Sequence, residues 1–141
     1  MRMTISGECF CGDVVYEVTG ILRDARSCHC SRCRKAFSSQ ASAYALVDSD
    51  DFRWIAGNEL LTSFIGEQGF GLQFCSKCGS TLCGIYEGVV HGVTLGCING
   101  NPDIKTCKHI FVDSKAAWEI LPDSHGVTFY AEGPPESDVQ C

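Results

Sequence analysis

Seven of the eleven cysteines in this chain fall into three short clusters. The clusters are Cys9-Phe-Cys11, Cys28-His-Cys30-Ser-Arg-Cys33 and Cys75-Ser-Lys-Cys78. Spacings of C-x-C and C-x-x-C place two thiolates on one tight turn, where both can bind the same tetrahedral ion. Four thiolates close one site, and the other three surround a metal whose fourth position is open. The count therefore predicts two zinc ions, one that holds the fold and one that supports chemistry.

Spacing alone does not decide which clusters share an ion. We favour the first cluster with the third, because the rival pairings split the second cluster or leave a bare pair. This pairing closes a long loop, where a cross-link stabilises most. It leaves the second cluster, Cys28, Cys30 and Cys33 (the triplet), for the second zinc. In the alternative, the triplet recruits a fourth protein ligand and is also structural, and the candidates are His29, His109, Cys97 and Cys107.

Ligand type indicates the chemistry that the triplet favours. Zinc that already holds three thiolates has a net charge near −1, so it acidifies water poorly, whereas an added thiol still loses its proton on binding. This favours carbon–sulfur bond making and breaking over hydrolysis. Arg32, Arg34 and Lys35 beside the triplet are candidates to receive the carboxylates of an anionic thiol. The alternative for these three residues is a solvated basic turn.

Composition excludes several classes of protein. The formal net charge is −6, which argues against nucleic acid as a partner, because phosphate binding requires a basic surface. No apolar run is long enough for a membrane span or a signal peptide. We therefore expect a cytoplasmic protein with reduced thiols, in which cysteines bind metal before they form disulfides. Cys83 and Cys97 are expected in the core, Cys107 in a loop and Cys141 in a disordered tail.

The rest of the chain predicts a mainly β protein made of small antiparallel sheets. Short β-branched and aromatic runs end at Gly, Asp or Asn. The predicted strands are Val14–Val18, Ala43–Val47, Phe52–Ile55, Leu61–Ile65, Gly71–Phe74, Thr81–Tyr86, Val89–Leu95, His109–Val112 and Val127–Tyr130. A helical turn is expected at Ser38–Ser42. We expect one domain over residues 1–130 and a flexible tail over 131–141, which is rich in proline and acidic residues.

The order of the motifs resembles a known family. C-x-C-G, then C-H-C-x-x-C-R, then F-C-x-x-C-G is similar to the glutathione-dependent formaldehyde-activating family, which shares its domain with centromere protein V. The matching segments are Cys9–Gly12, Cys28–Arg34 and Phe74–Gly79. A late stretch, His109–Trp118, resembles the family's H-I-F-V-x-S-K-x-x-W signature, with Ala117 where proline is commoner.

The resemblance implies an Mss4-like β-tent with zinc knuckles. It assigns Cys9, Cys11, Cys75 and Cys78 to a structural zinc and the triplet to a catalytic zinc. It also implies a carbon–sulfur lyase that condenses glutathione with formaldehyde to S-(hydroxymethyl)glutathione. The alternative is a zinc-stabilised protein-binding module without catalysis, since Mss4-like domains also serve that role. The thiol, the electrophile and the oligomeric state stay open at this stage.

Overall fold

A computed structural model describes residues 4–123, 126–138 and 140–141. These residues are mainly β, as the sequence predicts, and contain a single α-helix, α1 (Ser31–Phe37). The strands are β1 (Thr4–Glu8), β2 (Val15–Thr19), β3 (Arg23–Cys28), β4 (Ser42–Leu46), β5 (Phe52–Ala56), β6 (Leu61–Ile65), β7 (Phe70–Cys75), β8 (Thr81–Tyr86), β9 (Val89–Thr94), β10 (Lys108–Ile110) and β11 (Thr128–Phe129). Short 3-10 turns cover Ser49–Asp51, Asn58–Leu60, Leu95–Cys97 and Val112–Ser114. Within the described residues, no helix has the length and apolar character that crossing a membrane requires.

The chain divides into two compact units. Unit 1 contains the described residues up to Leu22 together with Ala45–Asp103. Unit 2 contains Arg23–Tyr44 and Ile104–Cys141. The first and third cysteine clusters therefore lie in unit 1, and the triplet lies in unit 2.

Unit 1 contains a three-stranded antiparallel sheet in the order β1-β2-β5. The predicted alternation in β2 is observed, since Val14, Tyr16 and Val18 are fully buried. The Tyr16 ring stacks on Phe52 with centroids 5.1 Å apart. Gly7 is paired with Tyr16 across the sheet, and a Cβ at Gly7 would lie 2.2 Å from the Tyr16 ring. Only glycine therefore fits at this point of β1, which leads directly into the first cysteine cluster.

The second sheet of unit 1 is an antiparallel meander of β6, β7, β8 and β9. Cys83, Ile85 and Val93 are buried at 3% exposure or less and form its covered side. Phe70 and Tyr86, which pair across β7 and β8, have rings 4.4 Å apart and remain partly exposed. The turn that joins β7 to β8 carries the third cysteine cluster.

Unit 2 is built on strands in the order β11-β10-β3-β4. Here the structure departs from the antiparallel expectation, because β10 runs parallel to both β3 and β11. β3 was not predicted, since its charged residues Asp24 and Arg26 argue against a buried strand, yet both are buried. The buried Lys108 of β10 pairs with Asp24, and Arg26 pairs with Asp24 as well. These ion pairs make burial of the charges tolerable.

The predicted helical turn at Ser38–Ser42 is wrong in position. The helix α1 begins earlier, with Cys30 as the residue that caps its start, and contains Cys33. Ser38 adopts a left-handed conformation with φ of 51° and ends the helix. The third triplet thiol therefore projects from a helix and not from an irregular loop.

Unit 2 also contains a disulfide that the sequence did not predict. Cys107 and Cys141 form a disulfide, with Cα atoms 6.4 Å apart and a sequence separation of 34. Nothing in the local spacing indicates such a pair, because its members come from a loop and from the last residue of the chain. The other nine cysteines are free thiols.

Candidate metal centres

The first and third cysteine clusters come together in unit 1. The sulfur atoms of Cys9, Cys11, Cys75 and Cys78 all lie within 4.8 Å of one another. Cys9 Sγ is 3.5 Å from Cys11 Sγ, and Cys11 Sγ is 3.8 Å from Cys75 Sγ. Four thiols at these separations provide the complete donor set of a tetrahedral structural zinc.

Two turns hold these four sulfurs in place, and both use a glycine with positive φ. Gly12 follows Cys11 with φ of 83°, and Gly79 follows Cys78 with φ of 82°. In this conformation the Gly79 N–H donates to the Cys75 carbonyl over 2.8 Å, and the Gly12 N–H donates to the Cys9 carbonyl over 3.0 Å. Residues with a Cβ rarely adopt this conformation, which is why glycine follows both pairs.

The surroundings of the sulfurs shift the pKa values of Cys11 and Cys78 in opposite directions. The Val14 N–H donates to Cys9 Sγ over 3.3 Å. Burial raises the pKa of Cys78, but hydrogen bonds with Ser80 outweigh it, and the pKa is lowered to about 5. The Asp13 backbone lowers the pKa of Cys11, but burial and the three neighbouring thiols outweigh it and raise the pKa to about 12. The set therefore favours thiolate at Cys78, the form that binds zinc.

The triplet forms a second group in unit 2. The sulfurs of Cys28, Cys30 and Cys33 lie within 4.8 Å of one another. Cys28 ends β3, Cys30 caps α1, and Cys33 lies within the first turn of that helix. The Cys33 N–H donates to Cys30 Sγ over 3.3 Å, so the helix start itself fixes two of the three sulfurs.

The triplet also contains one thiol with marked thiolate character. The hydrogen bond from Cys28 is the main reason that the pKa of Cys33 is lowered to about 6, although burial opposes the shift. Ser42 contributes in the same direction, as does the positive charge of Arg32. The same Cys28–Cys33 hydrogen bond, together with burial, raises the pKa of Cys28. The opposite shifts of these two pKa values favour the thiolate at Cys33, and thiolate is the form that binds soft metals.

No fourth protein ligand joins the triplet among the described residues. A further histidine, cysteine or carboxylate with a donor atom within 4.8 Å of all three sulfurs is absent from the part of the chain that the structure describes. His29 lies between two triplet cysteines, but its ring turns to His109, with Nε2 2.8 Å from His109 Nδ1. His109 was also a candidate fourth ligand, and its ring contacts His29 instead.

The two histidines belong to a buried chain of polar side chains that ends at Glu119. His29 is fully buried, and its Nδ1 lies 3.3 Å from Glu119 Oε2. Burial is the largest cause that lowers the pKa of both histidines. Phe129 stacks on His109 with centroids 5.2 Å apart. Sequence reasoning did not find Glu119, since a single glutamate in an irregular segment gives no local signal.

A groove lies beside the triplet helix. It encloses about 430 Å³, and the residues that line it are Arg34, Lys35, Ser38, Ser39, Gln40 and Trp118. Two of the three predicted basic residues therefore line the groove. Arg32 is exposed and does not line it.

Two further observations concern residues that line this groove. Arg34 Nε is buried and has no hydrogen-bond partner among the described residues. Trp118 is 72% exposed, although tryptophan is normally mostly buried. The sequence contained the signal for Trp118, since it ends the late family-like stretch, but its contribution to a binding surface was not predicted.

Comparison with known proteins identifies the family. The family described as glutathione-dependent formaldehyde-activating enzyme matches residues 4–114. This chain belongs to that family. Among solved structures, it is similar to the crystal structure of a Rhodobacter sphaeroides protein, with 31% sequence identity and a TM-score of 0.53. The similarity covers 67% of this chain and 88% of the Rhodobacter chain. The comparison with curated proteins gave no match.

The matched range contains all seven clustered cysteines and the basic residues beside the triplet. It ends before Trp118 and Glu119, so the groove wall and the partner of His29 lie beyond the family match. In this family member, the donor sets are compatible with zinc, and the family is associated with glutathione and formaldehyde.

Proposed function

We propose that this chain is a zinc-dependent carbon–sulfur lyase-type enzyme that acts on the adduct of a small thiol and an aldehyde. Glutathione and formaldehyde are the proposed substrates, in the cytoplasm, and S-(hydroxymethyl)glutathione is the product. One observation carries the proposal: the three triplet thiols, with no fourth protein donor among the described residues, lie at the start of the helix whose residues Arg34 and Lys35 line a basic groove. A purely structural site would be closed by four protein ligands.

The donor sets fit zinc chemically. Thiols are soft ligands that favour zinc over magnesium or calcium. We assign Cys9, Cys11, Cys75 and Cys78 to a structural ion, and the triplet to a second ion with an exchangeable position. Zinc at the triplet would favour the thiolate form of a coordinating substrate thiol at neutral pH.

The protein side chains then bind and orient the substrate. Glutathione carries two carboxylates, and Arg34 with Lys35 can receive them in the groove. The exposed Trp118 ring offers an apolar wall for the peptide backbone of the same substrate.

The reaction needs no oxidant or further reactant. The substrate sulfur forms a bond to the formaldehyde carbon, and the π electrons of the carbonyl move to its oxygen. The proton that the thiol releases is returned to this oxygen through solvent, giving the hydroxymethyl product. Holding sulfur and aldehyde together converts a reaction between two solutes into one at a fixed site, which is where the acceleration arises.

His29, His109 and Glu119 have a positioning role in this proposal. His29 is held on one ring nitrogen by His109 and faces Glu119 with the other. His29 lies between Cys28 and Cys30. Its contacts with His109 and Glu119 therefore fix the turn that carries these two metal-binding thiols. Residues that orient metal ligands in this way strengthen metal binding.

The test follows exchange between glutathione, formaldehyde and their adduct by NMR at equilibrium. Zinc-loaded wild type should accelerate exchange over the uncatalysed background, and Cys30→Ser should not. Arg34→Gln should raise the KM for glutathione about 10- to 100-fold, the effect of losing one charge-assisted hydrogen bond. Arg32→Gln is the matched control, because Arg32 is basic and exposed but does not line the groove.

A neutral thiol such as 2-mercaptoethanol separates substrate binding from chemistry. Arg34→Gln should leave its exchange rate unchanged, since it has no carboxylate to lose. Exchange at the background rate with wild type and glutathione would reject the proposed reaction.

One observation favours the alternative, a protein-binding module. Phe64 on β6 is 67% exposed, and Phe70 on β7 is 49% exposed. Exposed apolar side chains on neighbouring strands are typical of interaction surfaces. In the absence of any rate acceleration, binding through this face would become the leading function, and Phe64→Ser should then reduce it.

A further inference from the structure

The described residues of the C-terminal segment (131–141) are attached to the rest of unit 2 at three places. The Cys107–Cys141 disulfide attaches the final residue. Asp138 forms an ion pair with Lys108 and accepts a hydrogen bond from Tyr130 over 2.5 Å. None of these residues belongs to the two cysteine groups of the metal centres.

The ion pairs beneath the disulfide are almost fully buried. The side chain of Lys108 is 2% exposed, and its Nζ lies 2.5 Å from Asp24 Oδ1. Arg26 pairs with the other oxygen of Asp24. The positive charge of Lys108 therefore has one partner within the strands and a second, Asp138, that comes from the C-terminal segment.

The same strand connects this cluster to the triplet. β10 pairs with β3 so that Lys108 lies opposite Arg26 and Ile110 lies opposite Cys28. β11 adds to the other edge of β10. The N–H groups of Phe111 and Val112 also donate to carbonyls of Glu132 and Tyr130, both over 3.0 Å. The C-terminal segment thus covers the strand next to the one that ends in the triplet.

Asp24 and the two sulfurs also lie within 4.8 Å of one another, as a metal site requires. Asp24, however, already pairs with Arg26 and Lys108. The two buried positive charges that pair with Asp24 oppose the binding of a divalent cation there. The chemistry that this cysteine pair supports is therefore thiol–disulfide exchange.

We propose that Cys107 and Cys141 form a reversible redox site, opened by small thiols, whose closed form holds the C-terminal segment on β10. Cys141 is exposed and Cys107 is half-buried, so the attacking thiolate reaches the Cys141 sulfur. Attack there forms a mixed disulfide and breaks the bond to Cys107, which leaves as a thiolate and takes a proton from solvent. The Cys107 thiol has an acceptor at once, since its sulfur lies 3.2 Å from the Ala25 carbonyl.

A second thiolate completes the reduction. It attacks the mixed disulfide, releases the small-molecule disulfide and leaves Cys141 as a thiol, so two thiols are oxidised for each protein disulfide reduced. The reverse sequence, with a small disulfide as oxidant, closes the site. In the open form the segment loses its covalent attachment but keeps the backbone hydrogen bond from Phe111 to Glu132 and the contacts of Asp138 with Lys108 and Tyr130.

Glutathione mixtures of defined redox ratio test the site. Zinc-loaded protein is equilibrated with reduced and oxidised glutathione, quenched with an alkylating agent and digested with trypsin. Oxidising mixtures should give peptide 106–108 linked to peptide 116–141, and reducing mixtures should give both alkylated. Cys107→Ser should trap a glutathione adduct on Cys141, and Cys30→Ser should titrate like wild type, because the site does not depend on the triplet. Absence of the linked peptide under oxidising conditions would overturn the proposal.

Limited proteolysis tests the structural consequence. Chymotrypsin should release fragment 131–141, measured after a reducing quench, roughly ten-fold more slowly from the oxidised than from the reduced protein, since cleavage follows the population of the open form. Asp138→Asn should speed release in the reduced protein, and Glu136→Gln, an exposed acid of the same segment, is the matched control. Equal release rates from oxidised and reduced wild type would show that the disulfide does not hold the segment.

Discussion

Replacing Cys78 by serine should remove the cross-link that the four-cysteine site makes within unit 1. Cys11 and Cys75, whose sulfurs lie 3.8 Å apart, have a sequence separation of 64. In the chain-entropy estimate, a cross-link over a loop of this length stabilises by about 4 kcal/mol at 25 °C. Small proteins have only about 5–15 kcal/mol of stability in total. Cys78→Ser should therefore leave the zinc-treated protein close to unfolding.

Tryptophan fluorescence can follow this loss in unit 1 alone. The chain has two tryptophans, and Trp54 packs edge-on against Phe52 with centroids 4.8 Å apart. In a Trp118→Phe background, Trp54 is the only tryptophan, and urea unfolding then reports on the sheet of β1, β2 and β5. The midpoint should fall strongly in Cys78→Ser and also in wild type treated with a chelator.

A matched control separates loss of metal from loss of a buried thiol. Cys83 is fully buried but outside both cysteine groups, so Cys83→Ser should cost about 1–3 kcal/mol, the penalty of an imperfectly paired hydroxyl. A chelator should destabilise Cys83→Ser further and should have no effect on Cys78→Ser. The reasoning is refuted if the two variants lose equal stability and both respond to the chelator.

Three further outcomes follow from the same structure. Elemental analysis of reduced, zinc-saturated protein should give two ions per chain, and a single ion under all conditions would contradict the assignment. A competing chelator should remove the triplet ion first, because that ion has fewer protein ligands. Lys108→Met should cost roughly 3–5 kcal/mol in urea unfolding, because it leaves buried carboxylates with fewer partners, whereas Lys105→Met on the exposed surface should change stability by less than about 0.5 kcal/mol. Glu119→Gln should lower the zinc affinity of the triplet roughly ten-fold in a chelator competition, and Glu119→Asp should recover part of it. An unchanged affinity would contradict the positioning role of His29.

The cysteine clusters could be found from sequence because their chemistry is local. A C-x-C or C-x-x-C spacing sets the distance between two sulfurs whatever the rest of the chain does. The glycines with positive φ, Gly12 and Gly79, follow from the same local geometry. The alternating pattern around Tyr16 was readable for a similar reason, because the period of a strand is fixed at two residues.

The features that sequence reasoning missed depend on partners far along the chain. β3 has the polar sequence Arg23–Cys28, and its buried Asp24 is paired both with Arg26 of the same strand and with Lys108 from a distant segment. The pairing of Cys107 with Cys141 likewise depends on where the last residue of the chain lies. No window of local sequence contains both members of such a pair, so no periodicity or spacing can indicate it.

Three consecutive residues at β10, Cys107, Lys108 and His109, connect the disulfide, the buried ion pairs and the triplet. Cys107 forms the disulfide, Lys108 joins the buried ion pairs, and His109 contacts His29 between the triplet cysteines. Successive side chains of a strand point to opposite faces, so Lys108 and His109 face different sides of the same short segment. A displacement of β10 would therefore disturb the ion pairs and the triplet turn at once. The triplet of unit 2 is thus connected to the C-terminal segment through one strand, even though none of that segment's residues is a proposed ligand.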